Sequence, residues 1–141
     1  QETADVRGAG ETVLLVEDNN STREALRTLL EDYNYQVLTA SNGLEALQIF
    51  EQQSDQIALV ISDIVMPHMG GMELFQNLQK RKPDITILFI TGHPVNEEDQ
   101  RILEIGRVHW LQKPFSVSAL SEKVRSLVRN PSSPPRSTRR K

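Results

Sequence analysis

The 141-residue sequence contains no cysteine, which excludes a disulfide framework, a thiolate metal site and a thiol nucleophile. This absence fits a reducing compartment, and we expect a cytoplasmic location. No run approaches the roughly 18 consecutive apolar residues that a membrane helix needs, and the N-terminus has no signal-peptide core. We therefore expect a soluble chain with no segment inserted into a membrane.

The length and the charge distribution favour one domain with two polar ends. Residues 1–10 are predicted to be a linker, residues 11–130 one domain, and residues 131–141 a flexible basic tail that follows prolines and serines. The net charge of −3 includes four positive charges in that tail, so the rest of the chain carries −7. An acidic body argues against direct binding of nucleic acid. The four basic residues are Arg136, Arg139, Arg140 and Lys141.

Short apolar runs alternate with helical patterns along the predicted domain, which is typical of successive βα units in an α/β protein with a doubly wound parallel sheet. Three of the five predicted strands are almost wholly apolar, as expected for strands covered by helices on both faces. The second strand contains Gln36 and Thr39 and is predicted to lie at an edge. The predicted strands are residues 13–16, 36–40, 57–62, 85–90 and 108–112.

Five helices are predicted after the five strands. Ser21 and Glu24 predict a capping box at the start of the first helix, and Leu44, Leu47 and Phe50 predict the apolar face of the second. The third is predicted to end before residue 83, a short fourth helix to begin near residue 96, and the last to begin near residue 116.

Polar side chains follow four of the predicted strands. Glu17 and Asp18 follow the first strand, Asp63 follows the third, Thr91 closes the fourth and Lys113 follows the fifth. The carboxyl ends of parallel strands meet at one edge of the sheet, where ligands bind in folds of this type. A single Asp after a strand is usually a helix cap or a turn residue, but three clustered carboxylates cost Coulomb energy unless a cation neutralises them. The sequence therefore predicts Mg²⁺ at this edge, with Mn²⁺ or Ca²⁺ as alternatives.

These residue types fit phosphoryl transfer, which depends on positioning and on positive charge around the phosphoryl oxygens. Asp63 is the natural nucleophile and would form an aspartyl phosphate. Lys113 supplies charge, and Thr91 offers a hydroxyl, although a β-branched strand residue bonded to the backbone is the alternative for Thr91. The bond between Lys113 and Pro114 is a candidate cis peptide, with a trans proline that starts the last helix as the alternative.

Four segments in order resemble the response-regulator receiver family of two-component signalling over about residues 11–130. They are VLLVEDN (13–19), VISDIVMPHMGGMEL (60–74), ILFITGH (87–93) and WLQKPF (110–115). The resemblance implies a flavodoxin-like, five-stranded parallel sheet of order 2-1-3-4-5. It also implies Mg²⁺-dependent transfer of a phosphoryl group from phosphohistidine and a cis peptide before the proline.

The resemblance implies a role for each matching position. Asp63 resembles the phosphoacceptor, Asp18 looks like a direct ligand of the metal, Glu17 acts on it through water, and Val65 offers its backbone carbonyl.

A switch is implied by three further positions. Thr91 matches the switch hydroxyl, Lys113 the lysine that binds phosphate, and Trp110 the aromatic residue that changes rotamer when the hydroxyl moves. A tryptophan buried in the core is the alternative for Trp110.

The resemblance also implies partners. A histidine kinase or a histidine phosphotransfer domain would donate the phosphoryl group, and the output surface would lie around the fourth helix, fifth strand and fifth helix, where two copies could form a homodimer. The segment 8–12 is similar to receivers at the C-terminal end of hybrid sensor histidine kinases, with a free-standing regulator as the alternative. Such a receiver is not a conventional enzyme, although it catalyses its own phosphorylation and slow dephosphorylation.

Three other functions are less consistent with the sequence. A dinucleotide-binding fold needs a glycine-rich turn after the first strand, where Glu17 and Asp18 would repel a pyrophosphate. A phosphatase of the haloacid-dehalogenase type resembles a pattern with an acid two residues after the nucleophile, where this chain has Val65. A binding module that has lost phosphorylation is disfavoured because the acids, Thr91 and Lys113 are all present.

Overall fold

The computed structural model describes residues 8–64, 69–92 and 108–129, which contain five strands and four helices. The fourth helix predicted near residue 96, the basic tail and Val65 lie outside the described residues. The strand predictions are confirmed within two residues at every end. The elements are β1 (Thr12–Val16), α1 (Asn20–Asp32), β2 (Gln36–Ala40), α2 (Gly43–Gln53), β3 (Ile57–Asp63), α3 (Gly71–Arg81), β4 (Ile87–Thr91), β5 (Val108–Gln112) and the last helix (Val117–Arg129).

The five strands form one parallel sheet of order β2-β1-β3-β4-β5, as the resemblance implied. The strand β2 lies at an edge, as its polar residues predicted, and β5 forms the other edge. The central strands β1, β3 and β4 are almost wholly buried because helices cover both faces of the sheet.

Each face of the sheet carries its own hydrophobic core. Successive residues of a strand point to opposite faces, so Val13 and Leu15 enter one core while Leu14 and Val16 enter the other. One core joins β-strand residues to α2 and α3 through Phe50, Phe75 and Leu78. The other core joins them to α1 and the last helix, with Leu26, Leu30, Leu120 and Val124 buried there.

The capping box predicted from Ser21 and Glu24 is wrong. The helix α1 begins earlier, with Asn19 as its N-cap, and the Oδ1 atom of Asn19 accepts a hydrogen bond from the backbone N–H of Thr22 at 2.9 Å. Asparagine is among the strongest N-cap residues because its short side chain reaches this N–H group. The first turn of α1 therefore starts directly after the two acids that follow β1.

The predicted apolar face of α2 is correct for Phe50 and wrong for Leu44. Phe50 is fully buried, whereas Leu44 is 52% exposed. The buried face instead includes Gly43, which packs so closely against Met69 that a Cβ atom there would lie 2.8 Å from the Cβ atom of Met69. With Gly43, Ala46 and Phe50 on the buried face of α2, position 44 faces solvent. The third helix ends as predicted, with Lys82 as its C-cap before Pro83.

The chain before β1 contacts the turn between α1 and β2. The backbone N–H of Gly8 donates to the carbonyl of Tyr33 at 2.7 Å, and that of Gly10 donates to the carbonyl of Asn34 at 2.9 Å. The predicted linker at residues 1–10 and the domain bounds of 11–130 stay predictions. None of the described helices is long and apolar enough to cross a membrane.

Candidate functional site

The register of the sheet brings the ends of four strands to one edge. Val16 of β1 pairs with Ser62, and the next residue of β3, Asp63, pairs with Ile90 of β4. Thr91 then pairs with Gln112 of β5. Each predicted site residue therefore lies at a strand end or one residue beyond it, on neighbouring strands. The backbone N–H of Lys113 donates to the carbonyl of Thr91 at 2.7 Å, which joins the last two of these ends.

Three carboxylates meet at this edge. Oxygen atoms of Glu17, Asp18 and Asp63 all lie within 4.8 Å of one another. Glu17 is buried, Asp63 is half-buried and Asp18 is exposed, so the group opens from the sheet edge to solvent. The Oε2 atom of Glu17 accepts a hydrogen bond from the backbone N–H of Asn19 at 2.9 Å, which fixes one carboxylate of the three.

The environment disfavours a negative charge on Glu17. Burial raises the pKa of its carboxyl above the ordinary value of 4.5, and the neighbouring Asp63 and Asp18 raise it further. The N–H of Asn19 and the charge of Lys113 oppose this rise in the pKa. The carboxyl of Glu17 therefore binds a proton more readily than an ordinary glutamate, even with Lys113 close enough to act on it.

The donor set fits a hard divalent cation. Mg²⁺ and Ca²⁺ take oxygen ligands at about 2.0–2.6 Å, so ligand atoms around one ion lie within about 4–5 Å of each other. The three carboxylates meet this limit, and such a cation would reduce the repulsion among them. A thiolate site is excluded because the chain has no cysteine.

The backbone around Asp63 is fixed by two residues whose importance sequence reasoning missed. The Ser62 hydroxyl donates to the carbonyl of Asp63 at 2.8 Å, and the N–H of Gly71 donates to the carbonyl of Ile64 at 2.7 Å. A Cβ atom at position 71 would lie 2.5 Å from the carbonyl oxygen of Asp63, so only glycine fits there. The sequence signal for the close approach at position 71 was the glycine pair at 70 and 71, within the segment VISDIVMPHMGGMEL (60–74).

A third residue near the site, Arg23, was also missed. Its Nη1 atom donates to the backbone carbonyl of Glu17 at 2.9 Å, and its Nη2 atom donates to the side chain of Asn20. An arginine one turn into the helix that follows two acids was the available signal. This guanidinium therefore contacts the backbone from which two of the three carboxylates extend.

The remaining predicted residues lie on β4 and β5. Thr91 is buried at the end of β4, next to the strand that carries Asp63. Trp110 is 41% exposed, so the alternative of a tryptophan buried in the core is wrong. The peptide bond between Lys113 and Pro114 is cis, as the resemblance implied.

The fold and the acidic edge define a flavodoxin-like α/β protein whose carboxylates lie at the carboxyl ends of its strands. The family model described as "Response regulator receiver domain" matches residues 13–125. The chain therefore belongs to the receiver domain family of two-component systems.

Individual relatives agree with this family. The chain is 34% identical over 128 residues to "Sensor kinase CckA" of Brucella abortus, covering 91% of this chain and 13% of that protein. It is 40% identical over 121 residues to "Probable transcriptional regulator ycf27" of Porphyra purpurea, covering 84% of this chain and 48% of that protein. The chain thus spans half or less of the length of these curated relatives.

Among solved structures, the chain is similar to the response regulator protein TrrA from Thermotoga maritima in complex with Mg²⁺ and a beryllofluoride. The two share 33% of their sequence with a TM-score of 0.73, and the match covers 83% of this chain and 98% of that one.

Proposed function

We propose that Asp63 accepts a phosphoryl group from a phosphohistidine of a histidine kinase or a histidine phosphotransfer domain. A carboxylate oxygen of Asp63 attacks the phosphorus atom and the bond from phosphorus to the donor nitrogen breaks. The imidazole, protonated on its other ring nitrogen, leaves with the bonding pair as a neutral ring. The product is an aspartyl phosphate. The observation that carries this proposal is the convergence of Asp63 with Glu17 and Asp18 at one sheet edge.

The neighbouring residues would bind either the cation or the phosphoryl group. Asp18 would bind Mg²⁺ directly, Glu17 through water, and Val65 through its carbonyl, together with Asp63. The bound cation would neutralise the phosphoryl oxygens during transfer. Lys113, whose charge already reaches Glu17, would pair with one phosphoryl oxygen, and the Thr91 hydroxyl would donate to another. The Mg²⁺ and beryllofluoride complex of TrrA supports Mg²⁺ over Mn²⁺.

The experiment is phosphorylation by acetyl phosphate and Mg²⁺, followed by intact mass spectrometry. We expect the native chain to gain one phosphoryl group, Asp63→Asn to gain none, and chelation of Mg²⁺ to prevent the gain. Asp55→Asn is the matched control, because Asp55 is an exposed aspartate two residues before β3 and Asp63 closes the same strand. Equal phosphorylation of native chain and Asp63→Asn would exclude the proposal and favour a phosphorylation-independent binding module.

Phosphorylation would act as a conformational switch. It raises the negative charge at Asp63 from −1 to about −1.5 to −2, which would draw Thr91 and Lys113 toward the phosphoryl group. Gln112 pairs with Thr91, and Trp110 lies two residues before it on the same face of β5, so movement of Thr91 would change the surroundings of the indole. Beryllofluoride with Mg²⁺ should change Trp110 fluorescence in the native chain and leave that of Asp63→Ala unchanged.

The output surface would include β5 and the last helix. Trp110 and Val117 are both large, exposed apolar side chains on these elements, which supports a surface for homodimer formation. In the presence of beryllofluoride and Mg²⁺, Val117→Ser should shift a dimer toward monomer in sedimentation velocity. Leu44→Ser is the matched control, since Leu44 is similarly exposed but lies on α2.

We propose that this receiver is part of a hybrid sensor histidine kinase in the cytoplasm. The identity with the sensor kinase CckA over 91% of this chain supports that context. A response regulator, free-standing or joined to an output domain, is the alternative, and the 40% identity with ycf27 favours it. Sequencing the uninterrupted reading frame on both sides of the present sequence distinguishes them, because a hybrid kinase requires a kinase core upstream.

A further inference from the structure

The side chain of Arg23 ties the first turn of α1 to the end of β1. Its backbone N–H donates to the carbonyl of Asn19 at 2.9 Å, as expected for a residue in the first turn of a helix. Its Nη1 atom reaches back to the carbonyl of Glu17 at 2.9 Å, and its Nη2 atom donates to the Oδ1 atom of Asn20. One residue thus contacts the acidic turn, residues 17–20, at three places.

The contact with Glu17 acts on the peptide between the two acids. A peptide unit is planar, so the carbonyl of Glu17 and the N–H of Asp18 turn together. A guanidinium bonded to that carbonyl restrains the plane, and with it the N and Cα atoms of Asp18 from which its side chain extends. Asp18 is exposed, so packing contributes little to its orientation.

We propose that Arg23 is a positioning residue that orients the carboxylate of Asp18 for the divalent cation. This inference rests on the proposed metal site, and it adds a residue that does not touch the metal. An arginine suits the task because its planar fork offers separate donors at fixed angles to two acceptors, the carbonyl of Glu17 and the side chain of Asn20. A lysine keeps the positive charge but has no such fork, so the two contributions can be separated.

The test compares Arg23→Lys and Arg23→Gln with the native chain in a calorimetric titration of Mg²⁺. Loss of residues that orient a metal ligand typically weakens binding by about 10-fold or more, and we expect this loss in both variants. The matched control is Arg27→Gln, which removes the same charge one turn further along α1. Arg27 pairs with Glu24 at 2.6 Å and Glu31 at 3.0 Å, both exposed, and its variant should bind Mg²⁺ like the native chain.

A second readout needs no metal. In ¹H–¹⁵N spectra of the metal-free protein, the amide signals of Asp18 and Asn19 should shift in both Arg23 variants and stay in place in Arg27→Gln. Native-like Mg²⁺ affinity in Arg23→Lys would overturn the inference, because charge alone would then suffice. Equal weakening in Arg27→Gln would overturn it as well.

The inference and the proposed function can fail separately. A native chain that does not bind Mg²⁺ contradicts the proposed metal site and, with it, this role of Arg23. A native chain that binds Mg²⁺ while both Arg23 variants bind it equally well contradicts the role of Arg23 alone.

Discussion

At the scale of single residues, the site depends as much on glycine and backbone contacts as on charged side chains. Asp63 lies where β3 ends, and its carbonyl accepts from the Ser62 hydroxyl. The first residue of α3, Gly71, passes directly beside the same carbonyl. The backbone orientation of Asp63, the proposed phosphoacceptor, is therefore set from both sides by Ser62 and Gly71.

Gly71→Ala should destabilise the fold and slow phosphorylation of Asp63. The new Cβ atom would meet the carbonyl oxygen of Asp63 at 2.5 Å, and a backbone atom cannot move aside as a flexible side chain can. Such overpacking typically costs about 1–3 kcal/mol. Urea unfolding measures the stability, and the rate of phosphoryl incorporation from acetyl phosphate measures the effect on the site.

Gly92→Ala is the control for this substitution. Gly92 is exposed, and a Cβ atom there would meet no atom of the described residues within 4 Å. We expect the free energy of unfolding of the Gly92→Ala variant to remain within about 0.5 kcal/mol of the native value, as for most surface changes. Equal losses in the two variants would mean that the contact with the carbonyl of Asp63 does not account for the effect.

Most of the site could be predicted at this scale because the sequence fixes which residues follow the strands. Glu17, Asp18, Asp63, Thr91 and Lys113 were found in this way, and the register of the sheet places them on neighbouring strand ends. Arg23 and Gly71 could not be found by position after a strand. Their roles depend on how a helix returns toward the strand end, which a pattern of residue types does not specify.

At the scale of elements, strands were predicted more accurately than the starts of helices. A buried strand leaves an apolar run that is bounded on both sides, whereas the start of a helix depends on which side chain reaches a free N–H group. The sequence analysis predicted Ser21 as the cap of α1, but Asn19 supplies it and Ser21 lies inside the helix. For α2, Asn42 caps the helix by accepting from the N–H of Glu45 at 2.8 Å.

Asn19→Ala should lower the free energy of unfolding by about 1 kcal/mol, since it removes the acceptor for the N–H of Thr22. Ser21→Ala should leave the stability equal or slightly higher, because alanine is the better helix former inside α1. Opposite signs in denaturant unfolding would support Asn19 as the cap. A larger loss for Ser21→Ala would restore the capping box that the sequence suggested.

The hydrogen bonds at the start of α2 predict that the stability of the fold depends on pH. The N–H and hydroxyl of Ser41 both donate to the Glu45 carboxylate, at 2.6 and 2.8 Å, and these bonds lower the pKa of Glu45 below its ordinary value of 4.5. A lowered pKa in the folded state adds stability above the ordinary pKa and loses it as pH falls through the lowered value. Glu45→Gln should therefore be less stable than native near pH 7, and the difference should vanish in strong acid.

The expected difference near pH 7 is about 0.5 kcal/mol, because Glu45 is exposed and solvent screens its charge. Glu73→Gln is the matched control. Glu73 lies in the first turn of α3, where the N-cap is Gly70 and no side chain caps the helix. Urea unfolding at several pH values compares the two variants, and identical pH profiles would mean that the helix dipole acts without the bonds to Ser41.

At the scale of the whole molecule, the sheet order and the two cores follow from patterns spread along the entire chain. Unbroken apolar strands required helices on both faces, and the structure has them, with α1 and the last helix on one face and α2 and α3 on the other. The chain before β1 could not be predicted in this way. This segment forms its hydrogen bonds through its own backbone groups. Every residue type carries a backbone carbonyl, so the sequence does not indicate where such bonds form.

These contacts gather around the turn between α1 and β2. Asn34 there has a φ of 73°, a left-handed conformation that asparagine tolerates, and its side chain donates to the carbonyl of Gly8 at 2.8 Å. Gly8 also lies against the ring of Tyr35, where a Cβ atom would come within 2.4 Å of the ring. Tyr35 belongs to the core formed with α1 and the last helix. The segment 8–10 therefore covers one edge of a core.

A chain that begins at Gly8 keeps the contacts of the segment 8–10, and a chain that begins at Glu11 should be less stable than it by about 1–3 kcal/mol. The shorter chain loses the bonds from Gly8 and Gly10 to the turn and uncovers the ring of Tyr35. Urea unfolding of these two chains and of the full chain measures the difference. Equal stability of all three would place the domain boundary at residue 11, as the sequence predicted. A loss confined to the chain from Glu11 would move the boundary to residue 8.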